Sequence, residues 1–144
     1  MALKDKDRAV NRAVDPALAE AVRDRIQGGT LDCTAAFALA AEKGVAPKTV
    51  GEAADDLDVH LSRCQIGLFG FPGHAKAWDQ PDWKEPETPG GFEEAAHAAV
   101  DSDGSLSCAS IWALAGRFGI PRAAAGFLAD GMKFKIKRCQ LGAF

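Results

Sequence analysis

The sequence lacks the motifs that most readily identify an enzyme activity, a ligand or a membrane span. It has no tyrosine, no apolar run long enough to cross a bilayer and no signal-like segment at its start. It contains neither a Cys-x-x-Cys nor a Cys-x-x-His pair, and neither of the common glycine-rich phosphate-binding patterns. We therefore expect a cytoplasmic protein without a membrane span, cofactor, metal or catalytic site, in which the four cysteines are reduced thiols.

An excess of positive charge is also missing. The 144 residues carry 17 Lys and Arg against 20 Asp and Glu, a net charge of -3. This balance argues against a nucleic-acid partner, because a surface that binds phosphate is normally cationic. The average conceals one basic segment, since four of the six Lys and Arg residues in 92–144 fall between Lys133 and Arg138.

What the chain does contain is an internal duplication. Residues 31–69 align without a gap onto residues 106–144 at a constant offset of 75, and 14 of the 39 aligned positions are identical. A repeated unit of about 55 residues would be only marginally stable alone. We therefore predict two pseudo-symmetric copies packed together as one domain.

Composition and turn residues divide the chain into four parts. We expect an N-terminal tail at 1–15, repeat 1 at 16–69, a Pro- and Gly-rich linker loop at 70–91 and repeat 2 at 92–144. Apolar residues at helical spacing predict three helices in each repeat, followed by a short strand. The predicted fold class is mainly α with short β-strands, α+β.

Only one strand is visible in each copy. In copy two, the alternation over 133–137 predicts a strand whose lysines share one solvent face, Lys133, Lys135 and Lys137. We expect the strands of the two copies to pair with each other across the pseudo-dyad. The three lysines are suited to contacting a phosphate backbone or an acidic protein surface, and equally to protecting an edge strand from aggregation.

Both copies end in the motif Arg-Cys-Gln-(Ile/Leu)-Gly-x-Phe. We expect its glycines, Gly67 and Gly142, to adopt positive φ and its last residues, Phe69 and Phe144, to fill the core. A twin binding site, with arginine as an anion clamp, is the alternative interpretation of the same residues.

The order helix, glycine turn, helix and strand resembles the helix-turn-helix superfamily in its winged-helix-like form. The spacing that carries the resemblance is Ala40-x3-Gly44-x5-Val50 and Ala115-x3-Gly119-x5-Ala125. The repeated Cys-Gln-(Ile/Leu)-Gly-x-Phe segment also resembles one found in small uncharacterised bacterial proteins. The superfamily resemblance implies that the last helix of each repeat could read DNA.

The residues on that helix depart from a DNA reader's pattern. Such a helix normally exposes Arg, Lys, Asn or Gln toward the bases. In copy one the corresponding positions are largely acidic: Lys48, Thr49, Glu52, Asp55 and Asp56. In copy two they are mostly small and apolar: Ala123, Ala124, Phe127, Asp130 and Gly131.

Three functions remain open, all of them non-enzymatic. The first is transcription-associated DNA binding by the nucleic-acid or anion candidates Lys133, Lys135, Lys137, Arg138 and Arg63. The second is a protein-interaction module or adaptor that uses either the apolar face of Phe127 or the loop that carries Trp78 and Trp83. The third is a cysteine-based metal or redox sensor, although Cys33 and Cys108 fall on apolar helix faces, as buried structural thiols do.

Overall fold

The computed structural model describes residues 14–144, and the chain divides between Ser62 and Arg63 into two compact units. The predicted tail at 1–15 therefore lies almost entirely outside the described residues. The first unit holds copy one up to its strand. The second unit holds the Arg-Cys-Gln segment of copy one, the linker and all of copy two.

The first unit contains three helices and two short strands in its described part. They are α1 (Pro16–Asp24), β1 (Thr30–Asp32), α2 (Cys33–Lys43), α3 (Pro47–Asp56) and β2 (His60–Ser62). The Asp32 carboxylate starts α2 by accepting the Thr34 backbone N–H at 2.9 Å. Gly44 ends α2 in the left-handed conformation that glycine adopts most easily.

The second unit repeats this order after a one-turn 3-10 helix (Ala77–Asp79). Its elements are α4 (Phe92–Ala98), β3 (Leu106–Ser107), α5 (Cys108–Phe118), α6 (Arg122–Gly131) and β4 (Ile136–Lys137). The Ser107 hydroxyl caps α5 by accepting the Ser110 backbone N–H at 3.0 Å. The predicted α+β class, mainly helical with a few short strands, is confirmed.

The two copies share their unusual backbone positions. Aligned residues adopt nearly the same positive φ in Gly44 (66°) and Gly119 (65°), in Asp58 (61°) and Lys133 (69°), and in Arg63 (50°) and Arg138 (59°). Four of these residues are not glycine, so the turns are set by the surrounding fold and not by residue preference alone. The duplication therefore preserves local backbone geometry.

The strand pairing differs from the prediction. β1 pairs with β2 and β3 pairs with β4, both in parallel, so each copy builds its own two-stranded sheet. The prediction of one strand per copy, paired across a pseudo-dyad, is wrong. The missed strands are two or three residues long and run directly into helix caps, which leaves too few residues for a visible alternation.

The predicted basic strand is also wrong at its start. Lys133 has a φ of 69° and closes α6, donating its backbone N–H to the Asp130 carbonyl at 3.0 Å. Only Ile136 and Lys137 belong to β4. The lysines at 133, 135 and 137 therefore do not form one row on an extended strand.

Each Arg-Cys-Gln segment folds into a closed turn, which we call the first Cys-Gln loop (63–69) and the second Cys-Gln loop (138–144). The cysteine N–H bonds to the carbonyl of the phenylalanine in both, at 3.1 Å in the first and 3.0 Å in the second. The predicted positive φ is confirmed for Gly67 (85°) and Gly142 (84°).

The side chain that each loop buries is not the one predicted. Phe144 is 40% exposed and Phe69 is half-buried, so the prediction that Phe144 fills the core is wrong. Ile66 and Leu141 are buried in their place, at 0% and 2% exposure. The closing hydrogen bonds turn the middle of each loop toward the core and leave the two phenylalanine rings at its edge. There, the centroids of the Phe69 and Phe144 rings lie 6.2 Å apart.

The first Cys-Gln loop packs against α6 with almost no space between the two backbones. A Cβ atom placed on Gly126 would lie 1.9 Å from the Ile66 carbonyl oxygen. Gly126 is buried and in the middle of a helix, where glycine ordinarily costs stability. This close approach therefore explains why glycine is needed here.

Replacing Gly126 by alanine should destabilise the second unit, by about 1–3 kcal/mol or more, because a backbone carbonyl cannot move aside easily. Gly116→Ala is the matched control. Gly116 is an exposed glycine inside α5 with nothing within 4 Å of the added methyl group.

Urea unfolding followed by circular dichroism should show Gly116→Ala unchanged or more stable by up to about 1 kcal/mol. Equal midpoints for the wild type and Gly126→Ala would show that the loop does not lie against α6 as described.

Candidate functional site

Part of the linker lies against α6. We call this part, residues 76–83, the strap. The Ala77 backbone N–H bonds to the Gly67 carbonyl at 2.9 Å, and the Trp78 ring lies so close to Gly67 that an added Cβ would be 2.7 Å away. The Lys76 ammonium lies 3.7 Å from the Asp130 carboxylate of α6. The strap is therefore fixed to both the first Cys-Gln loop and α6.

Three aromatic side chains meet where the strap crosses α6, and we call them the aromatic triad. The ring centroids of Trp78 and Trp83 are 6.1 Å apart, and each lies 5.6 Å from the ring of Phe127. All three side chains are half-buried. The structure thus brings together all three residues that the sequence analysis named as protein-interaction candidates.

The indole of Trp83 is held by packing alone. Its Nε1 atom is shielded from solvent and has no acceptor among the described residues. An unpaired buried donor costs about 1–3 kcal/mol. Trp83 would therefore gain stability from an acceptor that reached this nitrogen.

The strap also covers part of the α6 face that a DNA-reading helix would expose. Phe127 contacts both tryptophans, and Asp130 pairs with Lys76. Ala124, a third position on that predicted face, is buried at 5% exposure. At these three positions the face of α6 is occupied by the chain itself, whereas Gly131 stays exposed.

Two of the basic candidates are engaged by acidic neighbours, in a group we call the acid–base cluster. The Arg138 guanidinium bonds to Asp101 at 2.9 Å, to Asp103 at 3.0 Å and to the Ser105 hydroxyl at 2.9 Å. The Lys137 ammonium lies 3.4 Å from Asp103. These two cations are largely neutralised, so a phosphate would have to compete with two carboxylates for them.

Hydrogen bonds lower the pKa of one carboxyl group in this cluster. The hydroxyl and the backbone N–H of Ser105 both donate to Asp103, at 2.6 and 3.1 Å. Together with the Arg138 guanidinium, they hold the pKa of the Asp103 carboxyl well below its ordinary value. Asp103 in turn raises the pKa of Arg138.

The other basic candidates are not part of this cluster. Lys133 and Lys135 are exposed, and neither has an ion-pair partner within residues 14–144. Arg63 is exposed and begins the first Cys-Gln loop. Lys133, Lys135 and Arg63 are therefore the candidates that keep their charge available.

The cysteines are mostly buried and none of the four forms a disulfide. Cys33, Cys64 and Cys108 are buried, and Cys139 is half-buried. Burial raises the pKa of the Cys64 and Cys108 thiols, which opposes thiolate formation. In the described part of the chain, no three His, Cys, Asp or Glu side chains are placed to hold a metal ion together.

The sequence analysis missed two sets of side-chain contacts. The first is the role of Asp101 and Asp103 as partners of Arg138, to which the sequence analysis assigned no contact. The second is a stack in which the Arg122 guanidinium lies 3.6 Å over the Trp112 ring and also donates to Gln65. Gln65 and Arg122 are 57 residues apart, and no local pattern predicts such a contact.

Comparison with protein-family models, curated proteins and solved structures finds no match to this chain. Within residues 14–144, no helix has the length and apolar character needed to cross a membrane. The function is therefore inferred from the aromatic triad, the acid–base cluster and the remaining charged side chains.

The acid–base cluster should make stability depend on Asp103 at low pH. Its pKa is lower in the folded protein than in the unfolded chain, where aspartate titrates near about 4, so the stabilisation is present above that pH and is lost as the pH falls below it. We expect the melting temperature of the wild type to fall further than that of Asp103→Asn between about pH 5 and about pH 2.5.

The control is Asp82→Asn, which removes an exposed carboxylate that has no ion pair among the described residues. This variant should lose as much stability in acid as the wild type. If Asp103→Asn is also as acid-sensitive as the wild type, Asp103 is not stabilised in the way described.

Proposed function

We propose that this protein is a non-enzymatic protein-interaction module and that the aromatic triad is its contact surface. The observation that carries the proposal is the mutual packing of Trp78, Trp83 and Phe127 at the surface. Two separate segments supply these rings, and all three remain partly exposed after they pack. Tryptophan and other aromatic residues dominate the binding energy of many protein interfaces.

The surroundings of the triad support this function. Its rings are already ordered by the strap, so a partner would not have to fix their side-chain rotamers on binding. The Trp83 indole N–H lacks an acceptor among the described residues, so a carbonyl group that a partner brought within reach would supply one. The ion pair between Lys76 and Asp130 supplies a polar rim beside the rings.

Loss of the triad should abolish capture of a partner. We would compare the wild type, Trp83→Ala and Phe127→Ala in cross-linked capture from a lysate of the source organism. Truncating a central aromatic residue typically weakens an interface by roughly tenfold or more. Proteins captured by the wild type should therefore be missing from both variants.

Trp112→Ala is the matched control, since Trp112 is another half-buried indole of the second unit and is not part of the triad. It should retain the partner. Circular dichroism would verify that each variant is folded. If every captured protein is retained by both triad variants, the triad is not the contact surface.

DNA binding is the second candidate, and the observation that favours it is the free charge of Lys133 and Lys135. Two available lysines are suited to nonspecific contacts with the phosphate backbone. The partly covered face of α6 and the ion pairs of Arg138 make this function less well supported than a protein partner.

The salt dependence of binding to a random-sequence DNA duplex would show whether the protein binds DNA through these two lysines. Two phosphate contacts predict a slope of about -1.8 for log K against log salt concentration. A double variant, Lys133→Glu with Lys135→Glu, should then lose binding, whereas the control Lys84→Glu should keep it. Absence of binding at low salt would reject the DNA function.

A further inference from the structure

A second surface lies away from the triad, in a groove between α4 and α5. The groove is shallow and open to solvent, has a volume of about 260 Å³ and is lined mainly by alanine, with Ala98, Ala99 and Ala113 among the lining residues. Leu114 supplies a buried apolar base, and Arg117 is the charged residue of the lining. Ala98, Ala113 and Arg117 are exposed.

The charge of Arg117 is not satisfied within the described part of the chain. Its recorded neighbour is the ring of the adjacent Phe118, whose centroid lies 5.3 Å from the guanidinium carbon. None of the ion pairs within residues 14–144 involves Arg117. A guanidinium at the rim of an apolar groove provides a directional site for a carboxylate, which it can bind through two parallel hydrogen bonds.

The corresponding positions of copy one carry different residues. There, Arg25 after α1 and Glu42 on α2 form an ion pair. At the offset of 75, the same positions in copy two are Val100 and Arg117. Copy one thus supplies both charges itself, whereas copy two has valine at the position of the arginine and a cation at the position of the acid.

The size of the groove indicates what it can hold. A volume of about 260 Å³ is slightly below the range of about 300–1,000 Å³ that is usual for drug-sized ligands. One or two apolar side chains of a peptide fit that space better than a cofactor does. Alanine at the exposed lining positions also leaves room for the peptide backbone to approach both helices.

We propose that the α4–α5 groove binds an acidic peptide segment of a partner protein. One leucine-like side chain enters the space between Ala98 and Ala113, and a neighbouring aspartate or glutamate pairs with Arg117. This surface shares no residue with the aromatic triad, so either site can fail without the other.

The test uses synthetic twelve-residue peptides in which one leucine is placed one, three or four residues from a glutamate. Binding to the full chain would be followed by amide chemical shifts in NMR titrations. We expect shifts at Ala98, Ala113 and Arg117. Replacing glutamate by glutamine, or leucine by serine, in the peptide should weaken binding about tenfold.

Two protein variants locate the site. Arg117→Glu should weaken binding of the glutamate peptides by about tenfold or more, because it places like charges together. Ala113→Leu should block the groove, and leucine is tolerated well in an exposed helix. Ala38→Leu is the matched control, because Ala38 is the exposed residue of α2 that aligns with Ala113; it should bind as the wild type does.

Two results would overturn the proposal. One is the absence of shifts at the groove residues with every peptide spacing at millimolar concentration. The other is a peptide affinity that stays the same in Arg117→Glu and Ala113→Leu. Neither result depends on the triad, which both variants leave unchanged.

Discussion

The second unit depends on the contact between the Ile66 carbonyl oxygen and Gly126, where two backbones approach so closely that no side chain fits between them. This contact holds the first Cys-Gln loop against α6. The loop then offers Gly67, whose carbonyl accepts the Ala77 N–H and whose missing side chain leaves space for the Trp78 ring. Through these contacts, Gly126 of α6 helps to position the aromatic triad.

The duplication preserves backbone geometry and changes surface chemistry. Aligned residues of the two copies keep the same left-handed turns, including turns at residues that are not glycine. Their side chains then diverge: an internal ion pair between Arg25 and Glu42 in copy one corresponds to an unpaired Arg117 in copy two. The shared turns preserve the fold of each copy, and the exposed side chains differ between the copies.

Local patterns predicted the helices well and long-range contacts poorly. The three helices predicted in each repeat are present, because caps, glycines and apolar spacing are local signals. Strands β1 and β3 escaped prediction since two or three residues cannot show an alternation. The Arg138–Asp103 contact, and the assembly of the triad from the linker and α6, join segments distant in sequence. A single sequence carries no signal for such contacts.

The most direct test of this account is a nuclear Overhauser measurement on the wild-type protein with labelled aromatic side chains. Trp78 and Trp83 should each give cross-peaks to the Phe127 ring, because their ring centroids lie 5.6 Å from it. Those cross-peaks would establish that the strap lies on α6 and builds the aromatic triad. A spectrum in which neither tryptophan contacts Phe127 would contradict the central claim, since the proposed contact surface would then not exist.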